Sequence, residues 1–120
     1  MIRTYGLTHL NLEVADPDAS LRFYATMFGV KEYYRDADSI QVQGPGPHDV
    51  LAFVRSSTPG RTGGISHFGF RVADPKEVAV AVRTAERVGA EILDRGEFSP
   101  GFPYVYVADP DGYVIEIWFE

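Results

Sequence analysis

The sequence predicts an α+β fold made of two copies of one βαβββ module, a strand and a helix followed by three strands. The segment LTHLNLEVADPD, residues 7–18, recurs 58 positions later as ISHFGFRVADPK, residues 65–76. Each copy starts with the alternation typical of a strand and ends in Asp-Pro, which is typical of a helix start. A repeat of this kind in 120 residues indicates two half-size modules sharing one domain.

The first module covers about residues 1–56. Residues 7–15 alternate as a strand whose polar face carries His9, and its apolar face carries leucine and valine. Asp16 and Pro17 then begin a helix, which Gly29 ends. Short apolar runs separated by turn residues predict three further strands, at residues 30–34, 39–42 and 50–54.

The second module, residues 65–120, follows a linker rich in Ser, Thr and Gly at residues 57–64. Its first strand has His67 on the polar face, and its helix runs from the Asp74-Pro75 start to Gly89. Three more strands are predicted, at residues 91–93, 104–108 and 113–119.

Composition restricts the classes of partner. Seventeen acidic residues against eleven basic ones give a net charge of -6, and no Lys/Arg run is present, so neither nucleic acid nor a membrane surface is the expected partner. A small molecule or another protein is expected instead. The chain lacks a leader-like start and a membrane-spanning apolar stretch, so we expect a soluble, cytoplasmic protein. Without cysteine, any metal must be held by imidazole and oxygen.

Three side chains on polar strand faces form a candidate metal site: His9, His67 and Glu116. Taken singly, each has a simpler interpretation as a structural histidine or a solvent-facing glutamate. Two histidines at equivalent repeat positions, together with a carboxylate in an otherwise apolar strand, favour a two-histidine, one-carboxylate site if the sheet curls around.

The motifs THLNLEVADP, SHFGFRVADP and YVADPDGYVIEI resemble the vicinal oxygen chelate superfamily over essentially the whole chain. That superfamily includes glyoxalase I, extradiol dioxygenases, fosfomycin-resistance enzymes, methylmalonyl-CoA epimerase and bleomycin-binding proteins. The resemblance implies that the modules form a curled mixed sheet, a cup around a divalent metal, with the helices on its outer face. It also assigns His9, His67 and Glu116 as the metal ligands.

Some members of the superfamily use a fourth ligand, a glutamate or glutamine in the last strand of the first module. Here that strand reads HDVLAFVRS, with Leu51, Ala52 and Phe53 where the ligand belongs. The nearest carboxylate, Asp49, is better interpreted as a turn residue. A four-ligand isomerase is therefore disfavoured, and three ligands leave room for a bidentate substrate or dioxygen.

Two further residues resemble parts of the extradiol dioxygenase apparatus. His48 matches a histidine that acts as acid and base, although a turn residue is the simpler interpretation, and Tyr106 matches a tyrosine beside the substrate oxygen. A further family histidine, expected within residues 94–98, is absent, and Glu97 lies nearby instead.

The predicted pocket is lined by Asn11, Arg71 and Trp118, which offer hydrogen-bond donors and aromatic surface. Arg71 is suited to binding a carboxylate or enolate, but it has an equal interpretation as an exposed sheet residue.

The favoured function is an extradiol-dioxygenase-like enzyme that binds a small vicinal-oxygen substrate and uses Fe(II) or Mn(II), with Zn(II) or Ni(II) as alternatives. The rival hypotheses are a glyoxalase-like lyase or isomerase and a metal-free binding protein of the bleomycin-resistance type. A homodimer is also expected, with an interface drawn from Phe28, Tyr33, Tyr34 and Phe53.

Overall fold

The computed structural model describes residues 1–120 and contains eight strands and two helices. The chain divides into two compact units, Met1–Gly60 and Arg61–Glu120, and this boundary falls within the segment predicted to be a linker. Each unit has the predicted βαβββ order. Neither helix is long and apolar enough to cross a membrane.

The first unit forms a four-stranded mixed sheet with the order β1-β4-β3-β2. The first and last strands of the module pair in parallel, and the remaining pairs are antiparallel. Its elements are β1 (His9–Val14), α1 (Pro17–Phe28), β2 (Lys31–Arg35), β3 (Ser39–Gln43) and β4 (Val50–Arg55).

The second unit repeats this topology in a sheet with the order β5-β8-β7-β6, again with one parallel pair between its first and last strands. Its elements are β5 (Phe68–Arg71), α2 (Lys76–Val88), β6 (Ile92–Glu97), β7 (Pro103–Ala108) and β8 (Val114–Trp118). The fold class predicted from the sequence, α+β with two such modules, is confirmed.

Both helices follow an Asp-Pro step in which the aspartate carboxylate binds the backbone amide two residues on. The Asp16 carboxylate accepts a hydrogen bond from the Asp18 amide at 3.0 Å, and the Asp74 carboxylate accepts one from the Lys76 amide at 2.9 Å. Each bond satisfies a backbone donor that the first helical turn leaves without a partner. The repeated Asp-Pro of the sequence is therefore a repeated helix start.

One face of each sheet is buried with its helix. In the first unit Tyr24 of α1 stacks on Phe53 of β4, with ring centroids 5.0 Å apart, and both side chains are fully buried. In the second unit Val78 of α2 is buried, as are the two core-facing valines of β7 and the two isoleucines of β8. Each fully buried side chain of this size contributes about 1.5–3 kcal/mol through the hydrophobic effect.

Two details differ from the sequence prediction. Phe53 belongs to the core and has no exposed surface, so it is not available to the predicted dimer interface, whereas Tyr33 and Tyr34 are exposed. Strand β6 extends to Glu97, beyond the predicted end at residue 93. Its side chains are almost all exposed, and the strand is held in the sheet by pairing with β7 rather than by an alternating apolar face.

Gly69 allows a close approach within the second sheet. It is the β5 partner of Glu116 on β8, and the Trp118 ring lies across it. A Cβ atom at Gly69 would lie 2.6 Å from the Trp118 ring and 2.7 Å from the Glu116 backbone oxygen. Side chains are not tolerated at such distances without movement of the strand.

We predict that Gly69→Ala destabilises the protein by about 1–3 kcal/mol, because overpacking outweighs the entropic gain of removing a glycine. Gly96→Ala is the matched control. The nearest atoms to its Cβ would belong to the Tyr104 side chain, at 3.2 Å or more, and that ring can shift. Urea unfolding should show a clear loss of stability for the first variant and a change near zero for the second. Equal effects would contradict this account.

Candidate functional site

The polar face of the second sheet brings several predicted site residues together. The register places Glu116 between Gly69 on β5 and Tyr106 on β7, so their positions share one face. His67 lies immediately before β5. The flanking Ile115 and Ile117 are buried on the opposite face. The alternation of β8 therefore presents Glu116 away from the core, as predicted.

His67 and Glu116 are in direct contact. The distance between His67 Nε2 and Glu116 Oε2 is 3.1 Å, and the two side chains are 36% and 15% exposed. The other ring nitrogen, Nδ1, is hydrogen-bonded to the Ser66 hydroxyl at 2.9 Å. A hydroxyl can donate or accept, so Ser66 is compatible with either tautomer of the ring.

The nitrogen and oxygen atoms of this pair are spaced suitably for coordinating a divalent ion. With metal–ligand bonds near 2.1 Å and angles of 90–109°, two ligand atoms stand about 3.0–3.4 Å apart, and the observed separation is 3.1 Å. Metal-binding histidines typically donate their second ring N–H to a nearby acceptor, a part that Ser66 can take. Within either unit, no group of three or more His, Asp or Glu side chains lies close enough to hold an ion.

Tyr106 borders the same pair. Its ring meets the His67 ring edge-on, with centroids 5.2 Å apart. Burial raises the pKa of Tyr106 above its usual value, and a hydrogen bond to Glu116 and the charge of that carboxylate raise it further. The phenol therefore remains protonated at neutral pH and is a hydrogen-bond donor there.

A second tyrosine on this face was not singled out by the sequence. Tyr104 donates a hydrogen bond from its hydroxyl to Asp94 Oδ2 at 3.2 Å, and Asp94 pairs with Tyr106 in the β6–β7 register. Partial burial and then this hydrogen bond raise the pKa of Tyr104. Glu97, which lies in the stretch where a further family histidine was expected, pairs with Pro103. The alternation from Asp94 therefore places Glu97 on the other face of β6.

The two predicted lining residues of this unit are fixed by neighbours. Trp118 is partly buried and lies across Gly69. Arg71 is exposed and donates hydrogen bonds from its guanidinium to the backbone oxygen of Glu120. In this arrangement the arginine helps hold the residues that follow β8.

The remaining predicted residues belong to the first unit. His9 and Asn11 are exposed on β1, on the face opposite the buried Leu12 and Val14. His48 lies in the turn before β4 and stacks on Tyr5, with centroids 3.8 Å apart.

Asp49 accepts a hydrogen bond from the Gly46 amide at 3.0 Å, and Gly44 also lies against its side chain. This contact matches the interpretation of Asp49 as a turn residue.

The registers of the two sheets identify the position that corresponds to Glu116 in the first unit. Asn11 of β1 pairs with Ala52 of β4, just as Gly69 of β5 pairs with Glu116 of β8, and Asn11 and Gly69 are equivalent in the repeat. Ala52 is 3% exposed and carries no donor atom on its side chain. The last strand of the first module therefore offers no ligand at this position.

Residues 9–118 match the family of glyoxalase-like domains, which is nearly the full length of the chain. The chain belongs to this family. The predicted membership of the vicinal oxygen chelate superfamily, of which these domains are part, is confirmed.

The chain is also similar to individual proteins. This glyoxalase-like protein is 31% identical to an uncharacterized protein of Pseudomonas aeruginosa over 92% of its own length and 85% of the relative. A glyoxalase-related enzyme from Fulvimarina pelagi is 27% identical, with a TM-score of 0.79 over 98% of this chain and 89% of the other.

Lactoylglutathione lyase from Agrobacterium tumefaciens shares the fold at 20% identity, with a TM-score of 0.75 over 97% and 94% of the two chains. A glyoxylase/bleomycin resistance protein/dioxygenase domain from Frankia does so at 21% identity, with a TM-score of 0.78 over 98% of each chain. Similar folds thus carry names from different reaction classes.

We predict that Asp94→Asn lowers the pKa of Tyr104 and that Glu116→Gln lowers the pKa of Tyr106, because each change removes the acceptor charge that disfavours the tyrosinate. The signals of ¹³Cζ-labelled tyrosine can be followed over pH and assigned with the Tyr→Phe variants. Each variant should shift its own tyrosine more than the other one, since the charge of Asp94 also raises the pKa of Tyr106 but is its smallest cause. Equal shifts of both tyrosines in both variants would contradict this pairing.

The sign of the linked stability follows from these raised pKa values. The stabilisation of the folded state by each protonated tyrosine is complete below the ordinary tyrosine pKa near 10. It is lost as the pH rises through the higher pKa that the tyrosine has in the folded protein.

Proposed function

We propose that this glyoxalase-like protein is a divalent-metal-dependent enzyme that acts on a small substrate with vicinal oxygens, with extradiol-dioxygenase-like chemistry. The observation that carries the proposal is the His67–Glu116 pair, with 3.1 Å between its two donor atoms on the polar face of the second sheet. His9 is the proposed third ligand, since it is equivalent to His67 in the repeat.

The absence of a ligand side chain at Ala52 favours dioxygenase-type chemistry over four-ligand isomerisation. Three protein ligands leave adjacent positions open, and Fe(II) or Mn(II) bound there supplies a redox-active centre for a chelated diol and dioxygen. Zn(II) supplies chelation without electron transfer.

The chain's own residues take defined parts in this proposal. Tyr106, protonated at neutral pH, donates a hydrogen bond to a substrate oxygen. His48 is the proposed proton carrier, and its exposed position in the turn before β4 leaves its ring accessible to solvent. Asn11, Arg71 and Trp118 are proposed to line the substrate pocket.

A glyoxalase-like lyase or isomerase is the second candidate. The observation in its favour is the fold shared with lactoylglutathione lyase, since one fold supports several reactions. A metal-free binding protein of the bleomycin-resistance type is the third, and it requires none of the proposed ligands.

We predict that the purified protein binds one divalent ion per site and that Glu116→Gln, His67→Ala and His9→Ala each weaken binding more than about tenfold. The controls are Glu91→Gln, an exposed glutamate, and His48→Ala, which removes the chain's third histidine. Both controls should retain the metal. Elemental analysis and competition with a chelator measure the effect, and unchanged metal content in Glu116→Gln would exclude the site.

We predict that the Fe(II)-loaded protein consumes oxygen with a catecholic or enediol compound. Tyr106→Phe should slow turnover more than it weakens metal binding, because it removes a proton donor and no ligand. Tyr33→Phe, an exposed tyrosine of the first unit, is the control. The dioxygenase assignment fails if no diol gives oxygen uptake while a hemithioacetal, epoxide or dicarbonyl is converted with Zn(II), Ni(II) or Mn(II).

A homodimer remains part of the proposal, and the exposed Tyr33 and Tyr34 on the edge strand β2 are its candidate interface residues. Light scattering at micromolar concentration should give the mass of two chains, and Tyr33→Ser with Tyr34→Ser should reduce it. A monomeric mass for the unmodified protein would refute the dimer.

A further inference from the structure

An aromatic cleft lies at the end of the β6–β7 hairpin in the second unit. It has a volume of about 460 Å³ and is lined by Phe98, Ser99, Phe102, Phe119 and Glu120. Phe98 and Phe102 are 58% and 40% exposed, although aromatic side chains gain stability when buried. Exposed aromatic side chains clustered around a cleft are typical of a ligand-binding surface.

The hairpin loop holds these rings in place. The Phe98 amide donates to the Phe102 carbonyl at 3.0 Å, and the Phe102 amide donates to the Ser99 carbonyl at 2.9 Å. Gly101 has a φ of 88°, a conformation that favours glycine, and so permits the tight turn. The Phe102 and Phe119 rings lie nearly parallel, with an interplanar angle of 21° and centroids 5.9 Å apart.

A continuous row of rings leads from this cleft to the candidate site. Phe98 stacks on Tyr104 at a centroid distance of 4.5 Å, and Tyr104 meets Tyr106 edge-on at 5.6 Å. Tyr106 is in turn the β7 partner of Glu116, and its ring meets the His67 ring edge-on at 5.2 Å. These ring contacts therefore connect the cleft to the polar face that carries the His67–Glu116 pair.

We propose that the aromatic cleft binds a neutral aryl group of the same ligand whose oxygens bind beside Glu116, an inference that rests on the proposed function. The ring faces of Phe98, Phe102 and Phe119 provide stacking surfaces. Glu120 is the only charged side chain in the lining, which disfavours an anionic group. The substrate class is thus a vicinal-oxygen compound with an aryl substituent.

The cleft can be tested without metal or turnover. Indole, a neutral aryl probe, is titrated into the purified, EDTA-treated chain while backbone amide signals are recorded by NMR. We expect shifts at residues 98–102 and 119, and Phe98→Ala and Phe102→Ala should each raise the Kd about three- to tenfold. Leu93→Ala removes an exposed apolar side chain of β6 and should leave the Kd unchanged.

Unaltered Kd values in both phenylalanine variants would overturn the proposal. Shifts of the same signals with protein concentration, in place of indole, would also overturn it, since a second copy of the chain would then cover the cleft. Well-dispersed spectra of each variant establish that it is folded.

A calorimetric comparison of 4-butylcatechol and 4-(4-phenylbutyl)catechol on the Zn(II)-loaded protein tests the link between the two sites, because a linker is needed to cross the Tyr104 and Tyr106 rings that lie between them. The phenyl compound should bind at least about threefold more tightly, and Phe98→Ala should remove that difference. Equal affinities on loaded protein would refute the shared ligand. If Zn(II) does not bind, the proposed function fails, and the indole titration alone decides whether the cleft binds an aryl group.

Discussion

Burial of one face of each sheet with its helix is the constraint on which the rest of the structure depends. Successive side chains of a strand point to opposite faces, so burial of Ile115 and Ile117 commits Glu116 to the polar face. A shift of the β8 register by one residue would place an isoleucine, in place of Glu116, on the polar face. The contacts that stabilise the core therefore also set the position of the candidate site.

The His67–Glu116 contact adds little to stability by itself. A contact between side chains 36% and 15% exposed is partly screened by water, and even a fully charged pair near the surface contributes only about 0–1 kcal/mol. The same partial exposure is compatible with ligand entry. The imidazole is also oriented by Ser66, whose equivalent before His9 is Thr8, so both copies of the repeat place a hydroxyl residue before the histidine.

The sequence predicted those parts of the fold that depend on short-range patterns. Residues 7–18 and their repeat predicted the strand, its faces and the Asp-Pro helix start, because alternation and helix-start signals are local. Pairing partners are not local. Strand β6 lacks apolar alternation, and its register shifts between Ile92 and Asp94, so the facing of Asp94 and Glu97 could be known only from the sheet. Likewise, only the register selects Ala52 from the stretch where a fourth ligand was sought.

The lack of a carboxylate at Ala52, in contrast to Glu116, also affects the net charge of the proposed metal site. Two neutral imidazoles and one carboxylate, the proposed ligand set, leave a divalent ion with one formal positive charge, whereas a second carboxylate at Ala52 would neutralise it. A monoanionic chelate then completes the charge balance, and a neutral compound does not. Under the proposed function, the small apolar side chain of β4 would make deprotonation of the ligand part of its recognition.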